Sequence, residues 1–271
     1  MPTINAITPD KLARLIGTPA CPALIDLTES GDFIPGARRR DAHRVSDWAD
    51  VIAAPSAIVI CRDGAEASPA IAAWLRQAGI RAEILEGGMA AWAAAGLPLV
   101  REAVLPPRDA GGRTRWVTRA RPKVDRIACP WLIRRFVDPA GIFLFVAPNE
   151  VPAVGERLDA APFDVDGVFW SHRGDQCSFD TMIAELGLSG MPALSRLATI
   201  VRGADTARPE LAPQAAGLLA VSLGLSRMHA DDLEQLEAGM IVYDALFRWC
   251  RDAVDETHDW VSHSPKARVK A

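Results

Sequence analysis

The stretch ICRDGAEASPAIAAWLRQAGI, residues 60–80, joins an apolar run to a helix through a short polar loop that opens on Cys61. A cysteine in this position is either a small buried hydrophobe at a strand end or a nucleophile, and residue type alone leaves both readings open. A helix N-terminus supplies unpaired N–H groups and the positive end of the helix dipole. Gly64 permits a tight curl. If residues 61–67 curl around the sulfur, successive N–H groups would converge on it as an anion-binding nest. Such a nest would suit a thiolate, a persulfide or an attacked oxyanion.

Strand and helix signals alternate around this loop. ALIDL (23–27), AIVIC (57–61) and AEIL (82–85) are short apolar runs, as expected of strands buried on both faces of a parallel sheet. ITPDKLARLIG (7–17) predicts a helix with Thr8 as N-cap, Pro9 at its first position and Gly17 as a stop. The helix after the loop is expected to have Ser68 as N-cap, Pro69 at its first position, and Ile71, Trp74 and Leu75 on one face.

LPPRDAGGRT (105–114) breaks the rhythm with prolines and glycines and reads as an interdomain linker. Residues 115–139 then give a strand and a helix, with Pro130 expected to delay the helix start. GIFLFV (141–146) and DGVFWSH (166–172) are further strand candidates. From about Thr181 the chain looks helical, with a capping box from Asp231 to Glu234 before an amphipathic run. The tail 262–271 is basic and polar and reads as disordered.

The 271 residues, 49% of them hydrophobic, can fill the core of one large domain or two ordinary ones. A net charge of −4 argues against whole-molecule attraction to nucleic acid or anionic membrane, and no helix-turn-helix pattern is visible. The five cysteines are odd in number and scattered, so a disulfide framework is not expected. A reducing, cytoplasmic setting fits that pattern, the lack of a signal-like N-terminus, and the lack of an apolar run of membrane-spanning length.

Residues 1–104 resemble a rhodanese domain, with CRDGAEA (61–67) in the place of its active-site loop. LIDL followed by FIPGA (24–37) and LEGGMAAWAAAGLPL (85–99) flank the loop in the family's order. The resemblance implies that Cys61 takes a sulfane sulfur as a persulfide, with no cofactor, and passes it from a small-molecule donor to a thiol acceptor. Arg62, Asp63, Gly64, Ala65, Glu66 and Ala67 would form the substrate cradle. Where many members have a basic residue stands Glu66, and Asp63 adds a second acid. Both should disfavour a dianion such as thiosulfate.

The segments 121–139, 170–182, 200–206 and 243–249 resemble the C-terminal domain of ChrB-type chromate-resistance proteins, over about residues 116–255. The expected fold class is therefore α/β: a rhodanese-like parallel sheet with helices on both faces (1–104), a linker (105–114), and a mixed, mainly helical α+β second domain (115–261). Besides Cys177, which reads equally as a core residue, Asp125, His172 and Asp205 are metal-ligand types, though their spacing is no standard zinc signature. They also read as an N-cap, a strand-end histidine and a turn former. A divalent metal bound there would be of unspecified identity. Arg121, Lys123 and Arg126 are candidates for holding chromate or another oxyanion, since cationic side chains pair with such groups. Arg134 and Arg135 read instead as a solvated helix face. Two functions follow. One is a sulfurtransferase linked to chromate, oxyanion or metal resistance; the other is a chromate- or metal-sensing binding protein with a non-catalytic first domain.

Overall fold

The computed structural model of the chain describes residues 5–65 and 67–257. The expectations for Glu66 and for the tail 262–271 lie outside the described residues. The first domain runs β1 (Ala6–Ile7), α1 (Pro9–Ala13), β2 (Ala23–Asp26), β3 (Ala37–Arg39), α2 (Val45–Trp48), β4 (Ser56–Ile60), α3 (Ala67–Gln77), β5 (Arg81–Leu85) and α4 (Gly88–Ala94). Its five strands pair in parallel, in the order β1-β5-β4-β2-β3.

Side chains alternate across the central strand. Ile58 and Ile60 pack with Leu12, Ile16 and Trp92, whereas Ala57 and Val59 pack with Ile71, Ala72 and Leu75. Helices α1 and α4 therefore cover one face and α3 the other, as the apolar strands required. Thr8 is the extended N-cap of α1 and Pro9 its first residue, in agreement with the sequence.

Two details of α3 differ. The helix begins at Ala67, so Ser68 is a buried residue inside it and does not cap it. Trp74 is half exposed, and Ala72 takes its place in the core. The buried stripe runs Ser68, Ile71, Ala72, Leu75, the three-four spacing of a helix face, and Trp74 falls beside it.

The second domain opens with a β-α-β-α-β unit: β6 (Arg115–Arg119), α5 (Asp125–Leu132), β7 (Ile142–Val146), α6 (Val151–Leu158) and β8 (Ala161–Pro162). These strands are parallel, in the order β7-β6-β8. The rest is helical: α7 (Ser178–Glu185), α8 (Pro192–Asp205), α9 (Ala215–Met228) and α10 (Asp232–Asp252). Asp231 caps α10, its carboxylate accepting from the Leu233 and Glu234 N–H groups at 2.9 Å each.

Residues 166–172 do not form the expected strand. Phe163 and Trp170 make one isolated bridge, and the aromatic run packs edge-on, with Trp170 at 5.5 Å from Trp116 and 4.8 Å from Phe169. Pro130 does not delay the helix either, because α5 starts at Asp125 and contains it. Burial of Ile127, Ala128 and Cys129 ahead of the proline, and of Trp131 and Leu132 after it, outweighs the roughly 3 kcal/mol that an interior proline costs. Past the proline the helix widens into a π-turn over Ile133–Val137.

The segment 105–114 is a closed turn. Arg108 bridges Thr114, and the Asp109 carboxylate accepts from the N–H groups of Gly111 and Arg113 at 2.9 Å. A single apolar cluster continues from Ile16, Phe33 and Trp92 into Trp116, Trp131 and Phe136. The Gly36 N–H donates across the seam to the Phe136 carbonyl at 2.6 Å. Among the described residues no helix is long and apolar enough to cross a membrane.

Candidate functional sites

Cys61 directly follows β4 and lies where ligands gather in parallel sheets, at the carboxyl end of a central strand. Two glycines bring its loop against α4. A Cβ on Gly64 would lie 2.9 Å from both the Gly87 nitrogen and the Leu85 oxygen, and one on Gly88 would lie 2.3 Å from the Cys61 oxygen. The α4 N-terminus then clasps the loop, as Met89 and Ala90 donate to the Cys61 and Arg62 carbonyls at 2.9 Å. Cys61 borders a cleft of about 570 Å³ lined also by Thr28, Glu29, Asp32, Arg62 and Asp63.

The expected nest of N–H groups around the sulfur does not appear in the contacts of the described residues. The Cys61 thiol instead faces two acceptors, the Ala65 carbonyl at 3.3 Å and Asp63 Oδ1 at 3.7 Å. Asp63 explains the difference. Its carboxylate closes a local turn by accepting the Ala65 N–H at 2.9 Å, which removes that donor from the sulfur. Of the cradle residues, Arg62, Asp63, Ala65 and Ala67 line the cleft, while Gly64 shapes the turn.

The second candidate site gathers around His172. Its Nε2 lies 3.2 Å from Asp205 Oδ2, 3.4 Å from Asp164 Oδ1 and 3.7 Å from Asp125 Oδ2. Asp125 is the first residue of α5 and Asp205 the last of α8, so two helix ends and the loop 163–172 converge there. All three residues proposed from sequence meet. Asp164 was missed, although the turn-forming FDVDG (163–167) just before the aromatic run was the available signal.

Tertiary contacts fix the approach to Asp125. Val124 is held at φ 37°, a strained value for a β-branched residue. Its carbonyl accepts from the buried Tyr243 hydroxyl at 2.9 Å, and Gln235 donates to the Pro122 carbonyl. Asp125 itself is fully buried. Its Oδ2 accepts from the Phe179 N–H at 3.3 Å, while its Oδ1 has no partner.

Charges in the cluster act strongly on one another. Burial, with Asp205 and Asp164 nearby, pushes Asp125 well above the usual carboxylate range. Burial and Asp164 likewise raise Asp205. Burial would also raise Asp164, but hydrogen bonds from His172 and Ser178 and the charges of Arg126 and Arg119 outweigh it and hold it low. The Asp164 hydrogen bond, aided by Asp125 and Asp205 against the cost of burial, pushes His172 up to about 9.

The three basic candidates do not share one site. The Arg121 guanidinium donates to the His229 carbonyl at 2.9 Å and to the Ser226 carbonyl, and so ties down the end of α9. Lys123 is exposed. Arg126 alone turns to the His172 cluster, 3.3 Å from Asp164 Oδ2, joined there by Arg119 at 3.1 Å. Arg134 and Arg135 are not a free solvated face but pair with Glu237 and Asp244.

Residues 116–250, about half of the chain, match the protein family described as ChrB, C-terminal domain. Protein ChrB of Cupriavidus metallidurans is 37% identical over 142 residues, 52% of this chain and 42% of that relative. The chain thus spans less than half the length of this curated relative. Among solved structures, a rhodanese-related protein of Thermoplasma volcanium is 22% identical, over 36% of this chain and 98% of its own, with a TM-score of 0.32. A thiosulfate sulfurtransferase of Pseudomonas aeruginosa is 26% identical, over 36% of this chain and 19% of its own, with a TM-score of 0.31. Behind a five-stranded parallel α/β domain, residues 116–250 of this chain belong to the ChrB C-terminal domain family.

Proposed function

We propose that the chain is a sulfurtransferase in which Cys61 carries a sulfane sulfur, and that its second domain ties this activity to chromate, oxyanion or metal resistance. The carrying observation is the position of Cys61, at the end of a central parallel strand and on the border of an open cleft. The order of the rhodanese-like motifs along residues 24–99 supports the same reading.

The chemistry balances without an external oxidant. The Cys61 thiolate attacks the outer sulfur of a donor persulfide, the donor S–S bond breaks, and the donor leaves as a thiolate. A new S–S bond on Cys61 holds the sulfur until an acceptor thiol attacks it in turn.

Charge selects the donor class. The cleft presents Glu29, Asp32 and Asp63 against Arg62, a surface that repels a dianion. An organic persulfide of low charge suits it better than thiosulfate. At low ionic strength one uncompensated charge is worth roughly 1 kcal/mol near a screened surface, so thiosulfate is expected to react several-fold more slowly. Sulfur transfer to a thiol, measured with each donor, tests the proposal. Cys61→Ser is expected to lose transfer from both donors, and a variant that keeps the wild-type rate would contradict the assignment.

A further inference from the structure

We infer that Asp125, Asp164, His172 and Asp205 form a binding site for one divalent cation, of the kind that accepts several carboxylates and one imidazole, such as Mn²⁺. This assignment is independent of sulfur chemistry at Cys61.

Geometry carries it first. Donors held about 2.1 Å from a common ion lie about 3.0 Å apart at right angles and about 3.4 Å apart at tetrahedral angles. The three carboxylate oxygens stand 3.2, 3.4 and 3.7 Å from His172 Nε2. One donor atom each from Asp125, Asp164 and His172 also fall within 4.8 Å of one another. An ion can therefore enter between Asp125, Asp164 and His172 with small side-chain shifts, and Asp205, 3.2 Å from Nε2, stands beside it as the fourth donor.

Burial supplies the second observation. Asp125 is wholly inaccessible to solvent, and its Oδ1 has no hydrogen-bond partner among the described residues. A buried carboxylate without full pairing costs several kcal/mol, about the penalty that a bound cation removes. Its chain position is fixed by the strained Val124 and by Tyr243, so the carboxylate is not free to turn toward water. Three acids and one imidazole are thus packed close together, and the direct ion pairs of Arg119 and Arg126 go to the far oxygen of Asp164.

The donor set selects the ion. Three carboxylates favour hard cations, and a single imidazole admits the borderline first-row metals. The nearby Cys177 thiol is engaged elsewhere, donating to Asp180 Oδ2 at 3.3 Å. The His172 side chain is 41% exposed, so the site opens to solvent on that side and leaves room for water or an anionic ligand on the ion.

The test uses the full chain after chelator treatment, titrated with MnCl₂ and followed by calorimetry and by the spin-resonance signal of free Mn²⁺. One Mn²⁺ per chain is expected, with a rise in melting temperature. His172→Gln and Asp164→Asn should each weaken binding about a hundredfold. Asp252→Asn, on an exposed ion pair at the end of α10, should leave binding unchanged. Asp164→Asn risks the fold because it frees two arginines, so His172→Gln, at the open side, is the decisive variant, checked by an unaltered melt of its metal-free form. Absence of Mn²⁺ binding in the wild type would overturn the inference, as would wild-type affinity in a folded His172→Gln.

Discussion

Gly88→Ala is expected to stop the proposed sulfur transfer at Cys61 while leaving the rest of the chain folded. Gly88 has φ +55°, and a Cβ there would stand 2.3 Å from the Cys61 oxygen, 2.6 Å from the Gly64 nitrogen and 2.8 Å from the Asp63 nitrogen. All three are backbone atoms of the loop that bears Cys61, so no side-chain rotation relieves the clash. The left-handed conformation costs about 1–2 kcal/mol for alanine, and overpacking adds about 1–3 kcal/mol. Displacing the loop by about 1 Å is enough for roughly a hundredfold loss of rate. The measurement is transfer from a persulfide donor by a variant whose circular dichroism matches the wild type. A wild-type rate would mean that the α4 clasp does not position Cys61.

Trp131→Ala should produce the largest fall in stability, about 3–5 kcal/mol from the cavity alone. Trp131 is fully buried, with ring centroids 5.4 Å from Phe247, 5.6 Å from Phe136, 6.2 Å from Tyr243 and 6.3 Å from Phe179. Its indole N–H donates to Asp244 Oδ1 at 2.8 Å, and Asp244 also accepts from Arg135 Nε at 2.8 Å. Truncation therefore removes a large ring and a donor together. The effect should reach the seam, because Phe136 and Phe247 crowd Gly17 of the first domain. Urea unfolding followed by tryptophan fluorescence measures it, and a loss below about 1 kcal/mol would contradict this account of the core.

The first domain was legible because its signals are local. Short apolar runs, Thr8-Pro9 at a helix start and a glycine-bearing loop between strand and helix each carry their meaning within a few residues. The second domain yielded less, because packing overrides local preference there. Pro130 lies inside a helix whose buried face holds it in place, and an aromatic run that reads as a strand is a loop folded onto Trp116. Asp125 and Asp205 were readable as helix-end acids. Asp164 was visible only as part of the FDVDG turn and could not be assigned to the site, since a turn aspartate looks the same whether it faces water or an imidazole. Among the described residues the expected Cys61 nest is absent for a similar reason. Sequence shows that Asp63 is acidic, and only the folded loop shows its carboxylate taking the N–H meant for the sulfur.

The most direct measurement is the intact mass of the chain after exposure to a persulfide donor, with peptide mapping of all five cysteines. Competing thiols are restrained: burial pushes Cys21 up to about 12 and Cys250 up to about 11, and raises Cys129 and Cys177 as well. The account predicts one added sulfur, located on Cys61 and absent from Cys61→Ser. Sulfur on another cysteine with Cys61 unmodified, or no added sulfur in the wild type, would contradict it.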